Sequence, residues 1–306
     1  MVRILFLILF LSCSSDSYHW FYGTVDEALL SLDENSKKLI LLDFYSDGWG
    51  ACVRLDAETL SDSKVIEFSN SHFISLKLNP WENPKHSKLL EKYMGQAIPL
   101  LVFLNNKGEE VDRILGFYPS DKYLAMITNI YNGIDTYLSL KSEYQSGNKS
   151  PSVISKLSTK CKLDHDPDFC IEVYKEIAGT RNGFDNSMLF DADLFFASKS
   201  LDKDDTNPML QLIKTHKGAD YTQDAYFLMI NYYRLKNHSI NESKIFKEFS
   251  DSFNSDPSIL NQYAWRMTEL GTNLNDALNK SNQAIELSFD NTSLQTYIID
   301  TKAEIL

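Results

Sequence analysis

Glycine and proline are scarce in this chain of 306 residues, at 12 and 8. That scarcity excludes collagen-like repeats and proline-rich linkers. Positive charge is also in the minority: 30 Lys and Arg stand against 42 Asp and Glu, a net charge of -12. So acidic a chain repels phosphate backbones, and no nucleic-acid partner is expected. Beyond the N-terminal segment no run is long and apolar enough to span a bilayer, which takes about 20 residues. The Gly-x-Ser-x-Gly, His-Glu-x-x-His and phosphate-loop signatures are missing. His72, His86, His216 and His238 are scattered and form no ligand pattern, so neither a metal nor a cofactor is expected. What remains is an ordinary folded composition, 43% hydrophobic and 24% charged. At about 150 residues per domain, the length fits two domains.

The chain opens on Met1-Val2-Arg3, then an unbroken apolar run from Ile4 to Leu11. A basic start before a short apolar core reads as a secretory signal, and we assign residues 1–18 to signal and tether. Phe10-Leu11-Ser12-Cys13 resembles a bacterial lipoprotein box, with Phe10 where that box has Leu. It makes Cys13 a lipidation candidate, the one expected route to a membrane. The expected location is the bacterial periplasm or a membrane-anchored lipoprotein. Export also permits disulfides. Cys161 and Cys170 lie nine apart around a turn and are the disulfide candidate, which leaves Cys52 unpaired.

Residues from about 20 to 132 alternate helix and strand signals. Thr24 caps a helix through Leu30. Leu39 to Tyr45 reads as a central strand buried on both faces. A capped helix follows from Ser61, a strand over Phe73–Leu78 and a helix from Pro84 that Gly95 stops. Pro99–Leu104 and Glu109–Leu115 form a hairpin about Asn105-Asn106-Lys107-Gly108. Pro119 opens the last helix. The order predicts parallel strands joined by helices, with a hairpin at one edge: a three-layer α/β sandwich. Trp20, Phe21, Tyr22, Phe44 and Tyr45 are expected in the core, and Trp49 at an exposed rim. Trp81 is a second aromatic set apart from the core group.

From residue 136 the strand signals stop. Ser146–Pro151 is the best linker, and helices follow, broken at Asn182-Gly183, Asn207-Pro208, Lys217-Gly218, Asn237-His238 and Asp256-Pro257. Ala264, Ala277 and Ala284 let facing helices approach closely. His165, with Asp164, Asp166 and Asp168, reads as a solvated acidic loop rather than a cation site, since the Gly and Glu of a calcium loop are missing.

The stretches Leu42-Asp43-Phe44-Tyr45, Gly48-Trp49-Gly50-Ala51-Cys52, Asp56–Asp62, Ile98-Pro99 and Gly108–Gly116 resemble the thioredoxin family, closest to its exported domains. The resemblance implies a thioredoxin-like fold over 19–135. Residues 136–306 resemble tetratricopeptide helical hairpins, most clearly over Ser258–Asn291. Aligned on the thioredoxin motif Trp-Cys-x-x-Cys, Cys52 matches the resolving cysteine, while Trp49 replaces the attacking one. Asp43 matches the family's buried acid, which exchanges a proton with that cysteine. Pro99 matches its cis-proline, which presents backbone to an extended peptide. Cys52 and Asp43 are therefore the catalytic candidates. Trp49, Gly50, Ala51, Ile98 and Pro99 are the binding candidates.

A dithiol cycle needs two thiols, one to attack and one to resolve, and this motif has one. The expected partners are protein or peptide clients, bound without dithiol chemistry. The alternatives are a single-cysteine oxidoreductase using Cys52, and a purely architectural envelope lipoprotein.

Overall fold

The computed structural model describes residues 17–33, 36–95, 97–163 and 165–306. The signal-like start, Cys13 and Asp164 lie outside them. Among the described residues no helix is long and apolar enough to cross a membrane. The chain divides into two compact units, after Glu176. The first thus extends past residue 135, and the Ser146–Pro151 stretch is a turn within it rather than a linker between units.

Alternation builds the sheet of the first unit. In β1 (Leu39–Phe44), Leu41 and Asp43 share one face, while Ile40, Leu42 and Phe44 share the other. β2 (Phe73–Leu78) pairs parallel with β1. β3 (Leu100–Leu104) pairs antiparallel with β1, and β4 (Glu110–Leu115) antiparallel with β3, giving the order β2-β1-β3-β4. The expectation of parallel strands fails at β3. Leu78 and Leu100 both pair with Phe44, so the chain re-enters the sheet at the end where it left. A parallel β3 would require the connection to run back the length of the sheet. Before the first helix, Trp20 makes an isolated bridge to Ser75.

Helices cover both faces. α1 (Val25–Leu30) starts in a capping box: Glu27 N donates to Thr24 Oγ1 at 3.2 Å, and Thr24 N donates to Glu27 Oε2 at 2.7 Å. It packs with α4 (Pro84–Lys92) on the Ile40, Leu42 and Phe44 face. α2 (Gly50–Arg54), a π-helical turn (Leu55–Thr59), α3 (Ser63–His72) and α5 (Ser120–Tyr131) lie on the Leu41 and Asp43 face. Phe44 is buried, Trp20 and Phe21 are half-buried, and Tyr22 is exposed rather than in the core.

The first unit also takes in α6 (Tyr137–Gln145), α7 (Pro151–Cys161) and most of α8 (Pro167–Thr180). Cys161 and Cys170 are disulfide-bonded, Cα to Cα 5.6 Å. Their loop is not simply solvated. His165 is buried against Tyr137, ring centroids 4.1 Å apart. Its Nδ1 stands 3.2 Å from Glu110 Oε1 and its Nε2 3.6 Å from Asp112 Oδ1. Arg113 and Lys160 balance these carboxylates. Among the described residues no group of three or more His, Cys, Asp or Glu is arranged to hold a metal ion.

The second unit is helical throughout: α9 (Asn186–Leu201), α10 (Asn207–Thr215), α11 (Gln223–Leu235), α12 (Ser239–Ser252), α13 (Pro257–Leu270), α14 (Leu274–Leu287) and α15 (Thr292–Ile305). Ala264 and Ala277 are fully buried in its core. α13 begins at Asp256, which accepts from two backbone amides, and ends at Gly271 with φ 62°, a left-handed cap that suits glycine. It packs against both α14 and α15. Buried Glu242 joins three helices, accepting from Arg234 Nε at 2.9 Å and Arg266 Nε at 2.7 Å.

Candidate functional site

The site lies where β1 ends. Asp43 is buried, and neither of its carboxyl oxygens has a hydrogen-bond partner among the described residues. Burial pushes its carboxyl up to about 7; Lys77 opposes this and Asp56 adds to it. Lys77 occupies the paired position on β2. Its ammonium is held by Asp56 Oδ2 at 2.6 Å and lies 4.6 Å from the Tyr45 ring centre and 5.2 Å from that of Trp20.

After Tyr45 the chain turns, Trp49 N donating to Ser46 O at 3.2 Å, and α2 begins. Trp49 is the N-cap, extended at φ -96°, with no side-chain capping bond, as indole carries no acceptor. Cys52 lies one turn in, only 2% exposed. Burial raises its thiol above the ordinary value; a backbone hydrogen bond at Ser46 partly opposes this, and Asp43 and Asp56 add to it. A thiol so placed is a poor nucleophile at neutral pH.

The opposite wall comes from α4 and the segment leading to β3. Gly95 N donates to Leu90 O at 2.9 Å, closing the helix. A Cβ at Gly95 would come within 2.2 Å of Leu90 Cδ1 and 2.8 Å of Leu100 Cδ2, so a larger residue there would force these two side chains to shift. The Ile98–Pro99 peptide bond is cis, and Pro99 O accepts from Gly116 N at 2.8 Å. Between these walls runs an open groove of about 660 Å³, lined by Ser46, Gly48, Trp49, Trp81, Leu90 and Ile98, with Gly95 and Ala97. Trp49 is 57% exposed and Trp81 67%.

The structure therefore brings Asp43 and Cys52 together beneath α2, and Trp49 and Ile98 together in the groove. Pro99 is buried, and neither it nor Gly50 nor Ala51 is a wall residue. Reading the sequence alone missed Lys77 and Asp56. Both left a trace: Lys77 is the one charged residue of β2, and Asp56 follows Cys52 by one helical turn.

The family model described as "Thioredoxin-like domain" matches residues 25–130. The thiol:disulfide interchange protein DsbD of Photorhabdus laumondii is 27% identical over 142 residues, 40% of this chain and 24% of that protein. DsbD of Yersinia pestis strain Pestoides F is 28% identical over 95 residues, 30% of this chain and 16% of that protein. This chain thus spans a quarter or less of the length of these curated relatives. The crystal structure of the oxidised C-terminal domain of Neisseria meningitidis DsbD matches at 25% identity, over 34% of this chain and 90% of that one, with a TM-score of 0.30. Residues 25–130 are a thioredoxin-like domain, a fold of the thiol–disulfide oxidoreductase type, and an all-helical region follows it.

Proposed function

We propose that this domain binds extended polypeptide segments in the groove between Trp49, Trp81 and Ile98 without running a dithiol cycle. The observation that carries this reading is the pair of large, exposed indoles in one apolar groove. Exposed aromatics beside a groove are typical anchors for a protein partner. Trp49 itself stands where the attacking cysteine would be, and Cys52 is buried. The helical region, which resembles tetratricopeptide hairpins, would supply a second protein-binding face. Export is inferred from the signal-like start and from the Cys161–Cys170 disulfide, a bond that persists in oxidising compartments.

The test is binding of a reduced, carboxymethylated and permanently unfolded protein, followed by calorimetry. The double variant Trp49→Ala and Trp81→Ala should weaken binding at least about tenfold, as hot-spot aromatics do. Unchanged affinity would overturn the proposal.

A second reading, single-cysteine exchange, draws support from Asp43, whose carboxyl titrates near neutrality close to Cys52. Asp43 would accept the thiol proton and Cys52 Sγ would attack a client disulfide. The S–S bond breaks, one client sulfur joins Cys52, and the other leaves as thiolate and takes up a proton. A mixed disulfide trapped with an oxidised client and lost in Cys52→Ser would support it. No such adduct with an oxidised client would rule it out.

A further inference from the structure

We propose that the groove selects segments in which an apolar side chain is flanked by lysine or arginine. The inference rests on the binding role proposed above and adds the charge of the partner. The walls are largely apolar, and two acidic residues adjoin them along the chain. Asp47 precedes Trp49 by two residues and Glu82 follows Trp81 directly. Both are exposed, and neither has an ion-pair or hydrogen-bond partner among the described residues. Both also act on the half-buried Tyr45, whose hydroxyl is raised by burial first and then by Asp47 and Glu82. Asp47 sits between Ser46 and Gly48, and Glu82 adjoins Trp81, and all three of these neighbours line the groove.

The nearby cations do not cancel this charge. Lys77 is engaged by Asp56 and lies beside the rings of Tyr45 and Trp20. Lys85, Lys88 and Lys92 share one stripe of α4. At about 100° per residue that stripe lies roughly 140–160° around the helix from Leu90, the α4 residue that lines the groove. The lysines thus face away from it. A basic residue beside a bound apolar side chain would meet the unpaired carboxylates and the faces of two exposed indoles, which attract cations.

The experiment uses the full chain and three capped peptides with the same Leu-Phe-Leu centre, flanked on both sides by two lysines, two serines or two glutamates. Affinity is read from indole fluorescence at low salt. The expected order is lysine, serine, glutamate, with about fivefold between neighbours. The spread should collapse near 0.5 M salt, where screening is short-ranged. It should also collapse in the double variant Asp47→Asn and Glu82→Gln, with the serine peptide unaffected. Equal binding of all three peptides, or a spread that survives in the double variant, overturns the charge selection and leaves the groove standing. Failure of all three to bind overturns the groove as well.

Discussion

Asp43 and Lys77 stand opposite each other across β1 and β2, yet they do not pair. Asp56, on the π-helical turn after α2, holds the ammonium at 2.6 Å and leaves the buried carboxyl of Asp43 alone. This arrangement keeps Asp43 protonated close to neutrality. Asp56→Asn removes a repelling charge and frees Lys77, so the Asp43 midpoint should fall by about one pH unit or more. Lys77→Met should move it up. Carbon-detected NMR titration of the carboxyl measures both, and a midpoint indifferent to both changes would contradict the account.

Stability should depend on pH through the same group. The unfolded carboxyl ionises near pH 4, whereas the folded one holds its proton until about 7. Below pH 4 both states are protonated and the group contributes nothing. Between about 4 and 7 the unfolded state alone loses its proton, so stability falls; above 7 the loss is complete. Its full size is on the order of 4 kcal/mol. Asp43→Asn should therefore be more stable than the parent at pH 8, with the advantage shrinking toward pH 5. Urea midpoints at the two values decide it.

Local signals made much of the first domain legible in the sequence. The Thr24 cap, the apolar run of β1 and the Gly108 turn each depend on residues close together in the chain. The direction of β3 was not legible, because it depends on where the connection through α4 re-enters the sheet. Lys77 and Asp56 were hidden for a related reason. Their meeting with Asp43 requires a strand register and a helix position that no short window contains. His165 looked solvated because its partners Glu110 and Asp112 lie more than fifty residues earlier, on β4.

Cys52 should resist alkylation in the folded protein. It is 2% exposed, and burial raises its thiol. With Cys161 and Cys170 left oxidised, iodoacetamide at pH 7.5 (about a pH unit below a free thiol's pKa) should label Cys52 about a hundredfold more slowly than in the unfolded chain. Mass mapping of the peptide that contains Cys52, which separates it from Cys13, measures it against time. Rapid labelling of the folded protein would instead favour single-cysteine exchange.

The Cys161–Cys170 disulfide should stabilise the first unit. It closes a short loop that carries His165 in among Tyr137, Glu110 and Asp112. Chain-entropy estimates for a loop of about ten residues give roughly 2.5 kcal/mol. Replacing both cysteines by serine should cost about that much in denaturant unfolding. A double variant as stable as the parent would show that the packing around His165 holds the loop unaided.

Trp49→Cys asks whether the fold still supports redox chemistry. The substitution creates a cysteine pair separated by Gly50 and Ala51, with the new thiol at the N-cap of α2. There the unsatisfied backbone amides of the first turn favour a thiolate, unlike the buried position of Cys52. With Asp43 close to Cys52 and titrating near neutrality, the pair should cycle between dithiol and disulfide. The variant should reduce insulin with dithiothreitol at least about ten times faster than the parent, through exchange at the exposed thiol. Its peptide affinity should fall at the same time, since one of the two exposed indoles is gone. If binding falls and no reductase activity emerges, then the surroundings of Cys52, and not only the missing first cysteine, keep this domain from redox cycling.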